Sequence, residues 1–190
     1  SAIVRRMVPD AVNPGALARV LVIKLRHAGD VLLASPVFRA LADAAPQAEI
    51  DALVYDDTAP MLEEHPAIAR LWTLGRDRRT GGLAGYARRE WSLLAALRAR
   101  RYDLVVHLTE HPRGASLAQL LRPRASVAPQ RPEWWWRASF THLYPVLKNG
   151  RRHTVETHLD ALRRIGIQPA LDRRALVLEP GAAARAKTDA

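Results

Sequence analysis

Apolar residues along the chain follow two rhythms. Short unbroken runs rich in Val, Leu and Ile alternate with longer stretches in which apolar positions return every three or four residues. Runs of the first kind read as strands buried on both faces, because a strand covered by helices has no polar side. The pattern predicts strands over 19–24 (RVLVIK), 49–55 (EIDALVY), 69–74 (ARLWTL), 103–108 (DLVVHL) and 125–128. Between them it predicts an amphipathic helix over 30–45, with Val31, Pro36, Val37, Ala40 and Leu41 on its small and apolar positions. Short helices are expected over 58–64 and 116–121, a longer one over 86–100, and a last one over 154–165 that closes on Gly166. Residues 75–85, with Gly81, Gly82 and Gly85 among charges, read as a mobile loop. Residues 129–152, with Pro129, Pro132, Pro145 and Gly150, read as an irregular excursion too long for a plain connector.

Strands alternating with helices predict an α/β fold, a Rossmann-like doubly wound parallel sheet covered on both faces. Ligands of such sheets bind outside the carboxyl ends of the strands, which directs attention to residues 25–30, 55–57, 75–85 and 107–114. Residues 173–190, ending in an alanine-rich run, read as a linker.

Composition narrows the function classes. The 190 residues are 48% hydrophobic and 25% charged, with no cysteine and a formal net charge of +10. This excludes a disulfide-stapled module and thiolate metal centres, and it argues against a disordered chain. The longest apolar runs are cut by Lys24, Arg39 or Arg98, short of the ~18 to 20 residues of a membrane span. The first residues show no uninterrupted apolar core of a signal peptide, so a cytoplasmic location is the expectation. Nearly all of the positive charge is arginine: Lys24, Lys148 and Lys187 are the only lysines. Arg76, Arg78, Arg79, Arg88, Arg89, Arg98, Arg100 and Arg101 face only Asp77 and Glu90 across that stretch. Such a field attracts polyanions, or it is simply a solvated helix face.

The first strand-to-helix turn, Leu25-Arg26-His27-Ala28-Gly29-Asp30, has one glycine where a dinucleotide turn needs three, and neither a P-loop nor a nucleophile elbow occurs. What the turn offers is Asp30 at the mouth of a helix, beside Lys24, Arg26 and His27. It is either the N-cap of that helix or a carboxylate able to take a proton from a substrate hydroxyl. His107, His111, His153 and His158 match no closed ligand set and read as cleft lining or caps. Arg113 is either a surface arginine or a fork for phosphate or carboxylate. Trp134-Trp135-Trp136 is a buried aromatic cluster, a carbohydrate platform or a membrane-interface anchor. No RNP, KH or helix-turn-helix signature accompanies the charge, so nucleic acid is not expected as a partner.

Taken together, RVLVIKLRHAGDVLLASPVFRAL, PQAEIDALVYDDTAPMLEEHPAI, YDLVVHLTEHPRG, WWWRASFTHLYP and HTVETHLDALRRIGI resemble the amino-terminal half of bacterial lipopolysaccharide core heptosyltransferases, glycosyltransferase family 9, most closely the heptosyltransferase III branch. The resemblance implies a GT-B architecture of two Rossmann-like domains. The amino-terminal one takes the lipopolysaccharide inner-core acceptor and the other binds ADP-heptose. It also implies inverting heptose transfer with no cofactor and no required metal, at the inner face of the inner membrane with peripheral contact. By position the family's Gly-Asp pair falls on Gly29 and Asp30, which makes Asp30 the catalytic base. Lys24, Arg26, His27, Gly29 and Arg113 fall on the acceptor side. Family members run to roughly twice this length. The expected organisation is therefore an extension over 1–18, an acceptor-binding domain over 19–170 and an interdomain linker over 171–190, with the donor-binding domain absent and no turnover by this chain alone. The competing reading is a non-catalytic module for anionic glycolipid or membrane surface.

Overall fold

The computed structural model describes residues 10–76, 82–146, 153–170 and 176. A 3₁₀ turn at Pro14–Ala16 leads into β1 (Arg19–Ile23), α1 (Ala28–Leu32), α2 (Ser35–Ala44) and β2 (Glu49–Tyr55). A second 3₁₀ turn at Asp56–Met61 precedes β3 (Arg70–Leu74), α3 (Gly82–Ala99), β4 (Leu104–His107) and α4 (Pro112–Leu121). Then come β5 (Ala125–Pro129), α5 (Trp134–Ser139), β6 (His142–Tyr144) and α6 (Thr154–Arg164). The strands form one sheet in the order β3-β2-β1-β4-β5-β6, every pairing parallel. This is the doubly wound, Rossmann-like α/β sheet that the alternation predicts, with its reversal of strand order between β1 and β4.

Period two along each strand assigns the faces. Val20 and Val22 of β1 pack with Val37, Phe38 and Leu41 of α2 and Leu159 and Leu162 of α6. The alternate residues Leu21 and Ile23 pack with Leu53, Tyr55 and Val105 against Leu97 of α3. Trp136 and Phe140 of α5 meet Ala115 and Ala118 of α4 over Ala128 of β5. The strands β1, β2, β4 and β5 are thus covered on both sides, which is why they read as unbroken apolar runs, while the edge strand β3 keeps Arg70 and Thr73 exposed.

Several elements differ from expectation for local reasons. The helix expected over 30–45 breaks at Leu33 and Ala34, because Pro36 has no N–H and its ring blocks the preceding turn, whereas the first turn of a new helix accepts it. The helix expected over 58–64 is the 3₁₀ turn holding Pro60. Part of the expected loop 75–85 is helical, since α3 already runs from Gly82, while residues 77–81 lie outside the described residues. α4 starts at Pro112 rather than 116, with His111 Nδ1 accepting from the Arg113 N–H as its cap. The excursion over 129–152 is not irregular where it is described: it carries α5 and the edge strand β6, residues 147–152 lying outside.

The chain before β1 is packed from residue 10 onward. Val12 N–H donates to Ile165 O, Asp10 pairs with Arg164, and Leu17 is buried. Gly166 has φ +88, and a Cβ on it would lie 2.7 Å from Ala11 Cβ, so both backbone and neighbour require glycine there. Of the linker expected over 171–190, only Leu176 is among the described residues.

Candidate functional site

The carboxyl ends of β1, β4, β5 and β6 open onto a cleft of about 620 Å³ at the point where strand order reverses. Lys24 and Asp30 line it from the β1 side, Thr109 and His111 from the β4 side, Arg131 from beyond β5, and His158 from α6. Asp30 is half-buried in the first turn of α1. The N-cap position belongs to His27, which makes no side-chain cap, so the N-cap reading of Asp30 is set aside. A carboxylate inside the helix and facing a cleft is left to act on what enters the cleft. Its recorded ionic contact is loose, Arg26 Nε to Oδ2 at 4.0 Å.

Lys24 extends the Val20 and Val22 face of β1 by one step, which turns its side chain beneath α6. It is only 3% exposed. Nζ donates to Leu108 O at 3.1 Å and to His158 Nε2 at 2.8 Å. Burial, the largest influence, pulls its pKa down to about 8; the Asp30 carboxylate works in the opposite direction and Arg26 in the same one. His158 Nδ1 lies 3.1 Å from Leu33 O, so the neutral ring donates there and accepts from Lys24. Burial first, and then the Lys24 charge, lower the His158 pKa to about 4.

The remaining predicted residues divide. Arg26 is exposed and lines the cleft, His27 is exposed but does not line it, and Gly29 is exposed beside Asp30. A Cβ on Gly29 would meet nothing within 4 Å, so neither packing nor backbone asks for glycine there. Arg113 is turned away from Asp30's cleft into a neighbouring hollow of about 410 Å³ shared with Tyr55, Arg76 and His111. It donates to Glu90 Oε2 at 3.1 Å and to the Tyr86 hydroxyl. Two members of the arginine stretch are likewise spent internally: Arg76 pairs with Asp57 and lies over the Tyr55 ring, and Arg100 is bound to Asp51 and Glu49, while Arg88 and Arg98 stay exposed.

Three of the four histidines fulfil the lining and capping roles expected of them, His111 and His153 as caps and His158 in the cleft, whereas His107 does neither and belongs to the core. His107 is fully buried between Trp136 and Phe140, and burial brings its pKa to about 3. Gly114 exists for this ring, since a Cβ on it would lie 2.0 Å from His107 Nε2. The tryptophans separate by role. Trp136 is buried and donates Nε1–H to Pro129 O at 2.7 Å, with Arg131 over its ring, while Trp134 is 79% exposed. Thr109 and Arg131 were not singled out by sequence. The only signal for Thr109 is its place two residues past β4. Its Oγ1 is buried with no partner among the described residues, as is His107 Nδ1.

No family model matches the chain. Lipopolysaccharide heptosyltransferase 3 of Escherichia coli is 34% identical to it over 161 residues, which is 82% of this chain and 45% of the relative. The protein of the same name from Escherichia coli strain K12 is 38% identical over 146 residues, 75% of this chain and 41% of the relative. The chain therefore spans less than half the length of these curated relatives. Among solved structures, a glycosyl transferase family 9 protein from Veillonella parvula superposes with a TM-score of 0.76 at 21% identity, over 95% of this chain and 49% of that one. Escherichia coli heptosyltransferase WaaC with ADP-2-deoxy-2-fluoro heptose gives 0.68 at 22% identity, over 80% of this chain and 50% of that one. At those identities the likeness is one of fold.

Proposed function

We propose that this chain, related to the lipopolysaccharide heptosyltransferases over somewhat less than half their length, is the acceptor-binding half of an inverting heptosyltransferase of the lipopolysaccharide inner core. The observation that carries this reading is the Asp30 carboxylate over an open cleft at the strand-order reversal, with the Lys24 ammonium on the cleft floor. Asp30 accepts the proton of an acceptor hydroxyl as that oxygen attacks the anomeric carbon of ADP-heptose. The bond from that carbon to the diphosphate breaks, ADP leaves with the electron pair, and the anomeric configuration inverts. No resident cofactor or metal enters; ADP-heptose is a substrate, and a second half of the enzyme meets the departing diphosphate. Lys24, Arg26, His27 and Gly29 receive the acceptor, and Arg113 borders it from the adjoining hollow.

Contact with an anionic membrane surface is the finer part of the same reading. Between α3 and α4 an apolar groove is lined by Leu94, Leu117 and the exposed Trp91 and Leu120. Arg88, Arg98 and Arg122 stand exposed around it, and no described helix is long and apolar enough to cross a membrane. Basic residues around an exposed tryptophan suit the cytoplasmic leaflet. The same groove favours the alternative of a non-catalytic module for anionic glycolipid.

Heptose transfer from ADP-heptose to core oligosaccharide decides between them, with the chain joined to the second half of Escherichia coli heptosyltransferase 3. The expected result is transfer by the joined protein and a loss of about 100-fold or more in Asp30→Ala at unchanged folding. Full transfer by a folded Asp30→Ala protein contradicts the role of Asp30. Salt-sensitive oligosaccharide binding with no transfer by the joined protein establishes the module instead.

A further inference from the structure

The floor of the cleft holds an arrangement that the acid–base step does not use. An ammonium has three N–H donors. Lys24 places two of them on Leu108 O and His158 Nε2, and its side chain lines the cleft with one left over. Thr109, 3% exposed, lines the same cleft, and its buried hydroxyl has no partner among the described residues. Buried polar groups left without partners cost free energy unless something completes them.

The imidazole of His158 governs this floor from α6. Its Nδ1–H reaches Leu33 O, just past the end of the helix that carries Asp30, and its Nε2 accepts a hydrogen bond from the Lys24 ammonium. One ring thus fixes the end of β1 relative to the α1–α2 junction. A protonated ring has no lone pair for Lys24, so the arrangement requires the neutral form that burial enforces. The charged groups that act on Lys24 are Asp30 on α1 and Arg26 before it, Lys24 in turn bears on His107 at the end of β4, and Glu110, His111, Arg131 and Tyr144 line the same cleft.

We propose that His158 is a positioning residue for Lys24, and that the remaining Lys24 N–H together with the Thr109 hydroxyl forms a subsite for one anionic oxygen of the ligand, carboxylate or phosphate. The inference rests on the reading that this cleft receives an anionic saccharide, and it adds the two residues that grip it and the one that aims the grip. Because Lys24 loses its charge as pH rises through about 8, occupancy falls there and not near the ordinary lysine value of ~10.4.

The sequence makes this directly readable, since Lys24, Lys148 and Lys187 are its only lysines. In ¹⁵N-labelled chain the Lys24 side-chain signal is assigned by its loss in Lys24→Arg and followed during titration with inorganic phosphate and, separately, acetate. The expected result is a saturable shift of the Lys24 signal with at least one anion at pH 7, lost above about pH 8. A response to phosphate alone or acetate alone identifies the oxygen source. Thr109→Val weakens binding about 10-fold while leaving the Lys24 titration in place. His158→Gln, whose carbonyl accepts from Lys24 and whose amide donates to Leu33 O, retains both. His158→Leu loses the anion response and lowers the Lys24 titration further. If the leucine variant does not fold, the Gln and Val arms still decide. The inference is overturned if neither anion moves the Lys24 signal, if Thr109→Val binds as the wild type does, or if His158→Gln loses the response at intact folding. These readouts need no turnover, so they stand or fall apart from the transfer assay on Asp30.

Discussion

The two ends of the sheet each bury a charged side chain, and they treat it differently. At the amino end, Asp51 of β2 is fully buried and accepts from Arg100 Nε and Nη2 at 3.0 and 3.1 Å, from Trp72 Nε1 at 3.1 Å and from Tyr102 Oη at 2.6 Å. Nearby, Asp103 Oδ2 accepts from the N–H groups of Ala18 and Arg19. Every acceptor is answered from within the fold, and burial, reinforced by the Asp51 charge, pushes the Tyr102 hydroxyl well above its usual range. At the carboxyl end, among the described residues, Lys24 has a donor to spare, Thr109 and His107 carry polar atoms without partners, and the neighbouring space is open. A closed network holds the sheet together; an incomplete one is what a ligand completes.

This contrast can be broken at either end. The largest expected effect is Asp51→Ala, which strands a buried guanidinium, an indole N–H and a phenol, and should cost about 3–5 kcal/mol in urea unfolding. The same substitution should leave anion binding at Lys24 unchanged in whatever fraction stays folded. Next is acid. His107 and His158 are held neutral in the fold, with values lowered to about 3 and about 4, so the unfolded chain binds more protons between there and pH ~6.5. Their contribution is complete above pH ~6.5 and is lost as pH falls, roughly 2 kcal/mol per histidine by pH 5. Thermal melts across that range should show the loss, and His158→Gln should remove its own share. Gly114→Ala drives a methyl into the His107 ring, which Trp136 and Phe140 hold in place, and should cost about 1–3 kcal/mol. The smallest stability effect belongs to Gly29→Ala. Nothing contacts the added methyl, so stability should hold or rise by up to about 1 kcal/mol. On the proposed reading, in which Gly29 borders the acceptor, acceptor binding measured by calorimetry should nonetheless fall.

How far these features were legible in sequence depended on how local their causes are. β1, β2 and β4 were readable because double-sided burial writes itself as an apolar run, and β6 was not, since His142-Leu143-Tyr144 is three residues paired only with β5. The position of the cleft followed from the alternation of strand and helix alone, and Asp30 from its place at the end of β1. Arg113 could be placed near that edge, yet its direction depends on Tyr86 and Glu90 of α3, more than twenty residues away. His158 was readable only as a polar lining residue, because its partner Lys24 lies 134 positions earlier. Arg76 and Arg100 looked like part of an open field because their acids, Asp57 and Asp51, sit on other elements.

Asp30 lies at the open end, lining the cleft with one loose ionic contact, and on the proposed reading it serves a ligand and not the fold. The direct measurement is heptose transfer and thermal melting of Asp30→Asn in the joined protein, an isosteric change that removes the base. We expect a melting temperature within about 1–2 °C of the wild type, as for a residue outside the stabilising networks, and transfer reduced about 100-fold or more. Transfer within a few-fold of the wild type by a folded Asp30→Asn protein would contradict it.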